Sequence, residues 1–522
     1  MNNTLGTFDV VIVGAGFSGL LCAGYLREAG VANIQIFEMT SSVGGVWAKD
    51  GVGSYPGAAC DVPSYAYLPL LDQTGFIPTK KYVTQPEISA YAESMTDYLG
   101  VRDCLRFSRK VIEAVYSEAE GGFWQITTVD SATGKDLQTV QCRHFVSANG
   151  PLSSPRLPEF SGMDTFVGES FHTAQWDKNA DLSGKRVGVV GTGASAAQVI
   201  TTIVDEVKSL HVFQRTPTWV LPREDEATPE DVKQKFRAGG FGELLRRAME
   251  KGEYPPGEQF IDFDMLHDEK QNADICIQLA AGIRDMVDDP KVAELLTPDY
   301  PFWCKRVLFI DDYFTTFNKK NVTLIHDQGG VVSVDERGLK IACGEHFELD
   351  VIIYATGFDS NFIPFDIRGR NGSSLAEKFG ANEINRFQMT RPKSLWGIHV
   401  EEMPNFYMMA GPQSLNPVTN VTLLCEQQAK YIADLISDMN QEGYLTVEPK
   451  TDAVLAWTKL CNSASRDKVW LRCNNWYTKT TKSDEAKGRE RSAGMWMETY
   501  EEYLSHVLHA KGGTQKELLH FS

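Results

Sequence analysis

Two stretches of this 522-residue chain pair a glycine-rich turn with one charged side chain 24 residues beyond its first glycine, and both could handle phosphates. In the first, Gly14-Ala-Gly16-Phe-Ser-Gly19 follows a β-type run at 8–13 and opens a helix-favouring stretch, and the next apolar run ends in Glu38. The three glycines suit a tight turn, close backbone approach to a pyrophosphate, and close helix-on-strand packing. The phosphates would then meet free N–H groups at a helix N-terminus, with Glu38 accepting hydrogen bonds from a ribose diol. In the second, Gly191-Thr192-Gly193-Ala-Ser-Ala196 follows the run 185–190, with alanine as an allowed third member, and the next strand ends in Arg215-Thr216. An acid would repel a 2′-phosphate, whereas a guanidinium can grip it with two parallel hydrogen bonds. The second ligand is therefore expected to be NADPH rather than NADH; the competing reading of Arg215 is a solvated arginine ending a strand.

The whole chain limits what else these turns could serve. A net charge of −18 argues against nonspecific binding to nucleic acid or to an anionic membrane, both of which need an accessible basic face. Ten cysteines are spread singly, with no CxxC pair and no Cys/His cluster at metal-ligand spacing, so thiols used as small apolar residues in a reducing compartment are expected, and no metal. The first strand begins near Phe8, which leaves no room for a signal peptide, and the apolar run 10–21 is broken by three glycines, unlike a membrane span. These features point to a soluble cytoplasmic protein; the oligomeric state cannot be read from them.

The elements that must position the turns follow a βα rhythm, with a short β run before each turn and a helix behind it. Residues 224 to about 300 lose that rhythm and become charged and helix-favouring. The fold class expected is α/β, with two Rossmann-like dinucleotide-binding domains and a helical insertion at about 224–300 in the second. The boundaries expected are 1–150 and 381–522 for a discontinuous first domain, and 151–380 for the second. Residues 349–359 read as a buried strand ending in Ala-Thr-Gly357-Phe-Asp, and 423–439 as a helix.

Between the two turns lies Phe166-Val-Gly168-Glu-Ser-Phe-His172-Thr-Ala-Gln-Trp176-Asp177. Taken alone it could be a linker in which an aromatic pair packs, a glycine turns and a histidine caps a helix. Set between two dinucleotide signatures, it resembles, without a gap, the fingerprint of the type I Baeyer–Villiger monooxygenases. Further matches are Gly44-Gly45-Val46-Trp47 with Tyr55-Pro-Gly57 and Asp61, Lys305-Arg306 followed by Asp311, Tyr313 and Asn318, and the segment 405–415. One departure is that seven residues separate Trp47 from Tyr55, where the family usually has four; a longer surface turn is the expected consequence.

The resemblance implies FAD at the first site, against Gly14, Gly16, Gly19, Glu38, Gly45, Val46, Trp47, Asp61 and Tyr67. It implies NADPH at the second, against Gly191, Thr192, Gly193, Ala196, Gln198, Arg215, Thr216 and Lys305. By composition alone Lys305-Arg306 is an exposed basic pair, Trp47 a core aromatic and Asp61 a turn or cap residue. The resemblance makes Arg306 catalytic, with Asp61 as its counter-charge. An always-ionised cation would stabilise the C4a-peroxyflavin anion, the form that attacks a carbonyl carbon. The implied reaction joins O2 to a small-molecule ketone and yields an ester or lactone. Phe166, Gly168, His172 and Trp176 then read as a linker beside the hinge that relates the two domains, with His172 not a general base. The alternative is a flavin monooxygenase that oxidises nitrogen or sulfur, whose fingerprint lacks the terminal tryptophan and Asp/Pro. Residues 474–477 and 487–489 resemble the family's C-terminal loop, a position suited to a lid. Which ketone is taken is not legible.

Overall fold

The computed structural model describes residues 4–250, 263–326, 329–359, 362–380, 392–416, 420–473, 475, 494–508 and 515–522. Two sheets carry the two glycine turns. The first runs in the order Asp366–Arg368, Arg109–Ser117, Phe123–Asp130, Gln138–Ser147, Thr4–Val13, Ile34–Phe37 and Leu105–Arg106, with Phe406–Met408 paired beside Gln138–Ser147. Its central strand is buried on both faces: Val10 and Ile12 enter one hydrophobic cluster, Val11 and Val13 the other. This is the period-2 alternation of a strand covered on both sides. The second sheet is wholly parallel, in the order Val322–His326, Ser209–Gln214, Arg186–Val190, Val351–Tyr354 and Glu169–His172.

The chain crosses between the sheets twice, and the crossings touch: Ser154–Pro155 pairs antiparallel with Phe358–Asp359. The return comes earlier than expected. Val351–Tyr354 is the last strand of the second sheet, and Asp366–Arg368 already lies in the first, where Ile363, Ile367, Leu375 and Phe379 join the core cluster. A boundary at 381 is therefore too late, because a three-residue edge strand carries too little periodicity to be seen in sequence.

The stretch between 224 and 300 contains the helices Glu230–Ala238, Phe241–Glu250, Glu269–Met286 and Pro290–Leu296. Asp268 and Asp289 cap the last two by accepting the N–H groups of Lys270 and Gln271, and of Lys291. Phe241–Glu250 is no solvated arm. Arg246, 5% exposed, donates to the Ala66 carbonyl at 3.0 Å and pairs with Glu426, which also accepts from Tyr25 and Lys430. Burial alone would raise the Glu426 pKa, but the charges of Arg246 and Lys430 and the hydrogen bonds from Lys430 and Tyr25 hold it below its usual value. Its contribution to stability is thus present above the unfolded carboxylate's pKa and is lost as the pH falls through the lower folded value.

Removing one partner of a buried pair strands the other charge. Arg246→Met is expected to cost on the order of 3 kcal/mol and to lower the thermal unfolding midpoint by roughly 5 °C or more. The neighbouring Arg247, 71% exposed, is the control, since Arg247→Met should cost less than about 1 kcal/mol. Equal midpoints for the two variants, measured by calorimetry, would contradict the structural role of Arg246.

Candidate active site

Both glycine turns adopt the same strained geometry. Gly14 has φ +104° and Gly191 φ +118°, and a Cβ at either would lie 2.5 Å from a carbonyl oxygen, that of Ala148 or Ala355. Only glycine fits such a place. A Cβ at Gly19 would fall 2.0 Å from the Gly14 carbonyl oxygen, which forces its helix close to the strand. The helices behind the turns, Phe17–Glu28 and Ala194–Ile203, begin at Gly16 and Gly193 without a side-chain cap, unlike those begun by Asp268, Asp289 and Asn420. No side chain at the cap accepts from their first N–H groups, and around Gly193 a Cβ would meet nothing within 4 Å, which leaves room for an anion there. This cradle fits a dinucleotide pyrophosphate at each turn. Glu38, 5% exposed at the end of Ile34–Phe37, accepts from the N–H groups of Ala15 and Thr40 and is held in register with the first turn.

At the second turn, the Thr192 hydroxyl donates to the Thr216 carbonyl at 2.9 Å, which keeps the Arg215-Thr216 corner against the glycines. Lys305 lies over the Tyr300 ring, its Nζ 4.4 Å from the centroid. Burial, and then the positive charge of Arg215, lower the Lys305 pKa, with Asp299 partly opposing. Two cations separated by 90 residues of chain are thus near enough for one to feel the charge of the other, a repulsion that an anion would relieve.

Arg306 and Asp61 meet as the expected pair, with Nη2 at 2.8 Å and Nε at 3.3 Å from Oδ2. The side chains keep 30% and 28% of their surface exposed, and the guanidinium lies 5.8 Å from the Trp303 ring centroid. Trp303, 1% exposed, has φ +63°, a conformation costing a bulky residue about 1–3 kcal/mol unless its surroundings impose it. Asn272 supplies part of that constraint: its side chain accepts from the Phe302 N–H and donates to the Phe302 carbonyl, each at 3.0 Å. On the Asp61 side, Trp47 donates to the Tyr67 hydroxyl at 2.7 Å, and Gln85 holds the Trp47 and Ala48 carbonyls at 2.9 Å each. Val46, 37% exposed, stays on the open side of this turn.

Several readings change in three dimensions. The longer stretch between Trp47 and Tyr55 is a turn that is exposed at Lys49 and Asp50, while its Gly51 and Gly53 are buried and fold back on Gly45–Trp47. A Cβ at either would lie 2.4 Å from the Gly45 carbonyl oxygen or 2.6 Å from that of Val46. Beyond it, Tyr55 donates to Gln198 at 2.8 Å and Gln198 donates to the Ala59 carbonyl at 2.8 Å, so Gln198 bridges the two halves of the molecule. Part of the fingerprint is built into the second sheet. Glu169–His172 forms the edge of the second sheet, a Cβ at Gly168 would meet the Asp350 carbonyl oxygen at 2.3 Å, and Phe166 packs in the cluster of Val334 and Leu339. Trp176 lies edge-on to Phe171, with centroids 4.9 Å apart. His172, 1% exposed, accepts from the Ala174 N–H at Nδ1 and stands edge-on to Phe358, 6.0 Å away on the returning crossing. Burial, partly opposed by the Gly357 backbone, lowers its pKa, so it is neutral near pH 7, with its proton on Nε2.

The cysteines bring another correction. Cys304 and Cys473, 169 residues apart, form a disulfide with Cα atoms 6.0 Å apart, whereas singly used thiols were expected. Spacing in the chain could not reveal a pair that only folding brings together. Asp311 and Asn318 serve the backbone: Asp311 accepts from the N–H groups of Arg223 and Glu224, and Asn318 accepts from Asp288 and donates to the Met286 carbonyl. Neither Asn272 nor Arg246 had any sequence signal, each being one polar residue in a charged, helix-favouring run. Trp476, Tyr477, Lys487, Gly488 and Arg489 lie outside the described residues. Among the described residues no cluster of potential metal ligands occurs, and no helix is long and apolar enough to cross a membrane.

Residues 8–251 match the family of flavin-binding monooxygenase-like proteins. A Baeyer–Villiger monooxygenase of Pseudooceanicola batsensis is 33% identical over 506 residues, covering 90% of this chain and 89% of the relative. Among solved structures, OTEMO in complex with FAD and NADP superimposes with a TM-score of 0.88 at 28% identity, covering 100% of both chains. Cyclohexanone monooxygenase from Rhodococcus sp. Phi1 bound to NADP+ gives 0.86 at 27% identity, again over 100% of both chains.

The contact between the halves can be probed at Gly57, whose φ is +79° and whose Cβ would sit 2.0 Å from the Thr202 hydroxyl oxygen and 2.7 Å from the Gln198 carbonyl oxygen. Gly57→Ala is expected to lose more than about 1 kcal/mol of stability. Gly193→Ala should leave the unfolding midpoint of ligand-free protein within about 1 °C while weakening dinucleotide binding, because its added methyl meets only the space a phosphate would use. Thermal unfolding with and without NADP+ checks both expectations.

Proposed function

The chain belongs to the Baeyer–Villiger monooxygenases, and we propose that it uses FAD, NADPH and O2 to insert one oxygen atom beside the carbonyl of a small-molecule ketone, giving an ester or lactone. The observation that supports this most strongly is the Arg306–Asp61 pair, a fixed guanidinium that joins the half of the chain carrying one glycine turn to the half carrying the other. When bound, the flavin accepts hydride from NADPH and delivers its electrons to O2, which supplies the oxygen nucleophile for the ketone.

The chain's own groups then have distinct tasks. Gly14, Gly16, Gly19 and the N-terminus of Phe17–Glu28 hold the FAD pyrophosphate, Glu38 orients its ribose, and Trp47, Tyr67 and Asp61 line the ring side. The turn from Gly191 to Ala196 holds the NADPH pyrophosphate, and Arg215, Thr216 and Lys305 grip the 2′-phosphate. Arg306 keeps its proton at any working pH, so its charge is available wherever negative charge collects on the reacting oxygen and on the carbonyl oxygen. Asp61 fixes the guanidinium in place through both contacts to Oδ2. His172, neutral and turned toward the crossing, moves no proton in this scheme; it relates the two sheets. Oxidation of nitrogen or sulfur is not favoured, because it uses an electrophilic oxygen donor that gains nothing from a fixed cation, and because the full fingerprint, with Trp176 and Asp177, is present.

Arg306→Ala should leave NADPH reduction of the flavin working but lower ester formation by about 10²–10³-fold, the usual effect of deleting a preorganised stabiliser of developing charge. Product analysis by chromatography decides, and ketone conversion near the wild-type rate would remove Arg306 from the mechanism. Arg215→Ala should cost about 1.5–3 kcal/mol of NADPH recognition, roughly 10- to 150-fold in KM, with little change for NADH. Equal losses for both coenzymes would show that Arg215 does not read the 2′-phosphate.

A further inference from the structure

The Cys304–Cys473 bond sits where it can act on the coenzyme site. Cys304 is fully buried and immediately precedes Lys305 and Arg306, while Cys473 is half-buried and follows the turn Val469–Arg472. That turn is itself anchored. Lys468, 2% exposed, donates to Glu498 at 2.8 Å and to the His267 ring at 2.7 Å, Arg472 pairs with Glu269 at 3.1 Å, and Trp470 is fully buried. On its other flank the Cys304 segment carries the strained Trp303 and the Asn272 bracket. The disulfide therefore closes a frame around Lys305 and Arg306, one side being the insertion and the other the C-terminal turn.

Both redox states can be accommodated. The Cys304 Sγ lies 3.0 Å from the Val469 carbonyl oxygen and the Cys473 Sγ 3.2 Å from the Cys304 carbonyl oxygen, so a reduced thiol would find an acceptor at each place. Asn475 donates to the Cys304 carbonyl at 3.0 Å and would keep the segments close after reduction. The other eight cysteines form no disulfide, and all but Cys276 and Cys343 are buried. A disulfide in a reducing compartment is more often a redox-responsive element than a structural staple.

We propose that Cys304 and Cys473 form a peroxide-responsive dithiol–disulfide pair that sets how firmly the Lys305–Arg306 segment is held for NADPH. The oxidant is hydrogen peroxide, which a flavin monooxygenase itself releases when NADPH is oxidised without oxygen transfer: NADPH + H+ + O2 gives NADP+ + H2O2. The half-buried Cys473 sulfur attacks one peroxide oxygen, forming an S–O bond and breaking the O–O bond, and the departing hydroxide takes up the thiol proton as water. The Cys304 sulfur then attacks the Cys473 sulfur; the S–S bond forms, the S–O bond breaks, and the hydroxyl leaves with the Cys304 proton as a second water. In sum, two thiols are oxidised and one peroxide is reduced to two waters. A cellular dithiol reverses the exchange.

The thiol chemistry rests on geometry alone, whereas the coenzyme effect rests on the proposed role of Lys305 at the 2′-phosphate. Holoenzyme is prepared with a dithiol reductant, freed of it, and divided into peroxide-treated and untreated portions. After denaturation the untreated portion should titrate ten thiols and the treated one eight, with a linked Cys304–Cys473 peptide by mass spectrometry. Cys473→Ser should give no linked peptide. In native assays the reduced enzyme should show a KM for NADPH roughly three- to tenfold above that of the oxidised enzyme, with the KM for NADH changed by less than about twofold. Ten thiols in both portions would overturn the proposal. So would equal NADPH KM values in the two forms; if Arg215→Ala still impairs NADPH selectively, that result leaves the 2′-phosphate reading standing and removes only the redox control.

Discussion

The proposed reaction needs a guanidinium that remains charged and remains in place, and the Arg306–Asp61 contact is where the structure meets that constraint. Arg306 comes from the half of the chain that carries the second glycine turn, and Asp61 from the half that carries the first, 245 residues away. A pair this exposed is worth only about 0–1 kcal/mol, so it cannot hold the two halves together. The cohesion comes from elsewhere: the buried Arg246–Glu426 pair, the Tyr55–Gln198–Ala59 bridge, and the contact of Gly57 with Thr202. Partial exposure leaves the charge open to a substrate, while the buried contacts determine where it stands.

The backbone before Arg306 shows how position is enforced. A tryptophan with positive φ is unfavourable, and it persists because Asn272 holds the residue before it and Cys304 is joined to Cys473 after it. The fingerprint works similarly at longer range. His172 is the last residue of an edge strand and touches Phe358, where the chain turns back to the first sheet, and Phe358–Asp359 pairs with the outgoing crossing. The motif thus couples the edge of one sheet to both crossings.

Much of the site was readable from local chemistry. The positive φ at Gly14 and at Gly191 favours glycine on local grounds, and the sign of the charge 24 residues beyond each is visible in the sequence as it stands. Other parts were not readable. Arg246 looks like any arginine on a charged amphipathic helix, and its burial depends on Ala66 and Glu426, far away in the chain. The extra residues before Tyr55 suggested a surface turn because glycine-rich insertions usually are; here the missing side chains let the backbone pack on its own preceding turn.

By itself the sequence determined the two glycine turns, the sign of the charge beyond each, the β–turn–α context around them, and the residue types of the proposed catalytic pair, because each depends on backbone sterics or on the chemistry of a single side chain. Only the tertiary structure decided that Arg306 meets Asp61, that Lys305 comes within reach of the Arg215 charge, that the return to the first sheet comes before residue 366, and that Cys304 reaches Cys473. Those outcomes depend on groups distant in the chain arriving at one place, and a distance between side chains is a property of packing that no local spacing encodes.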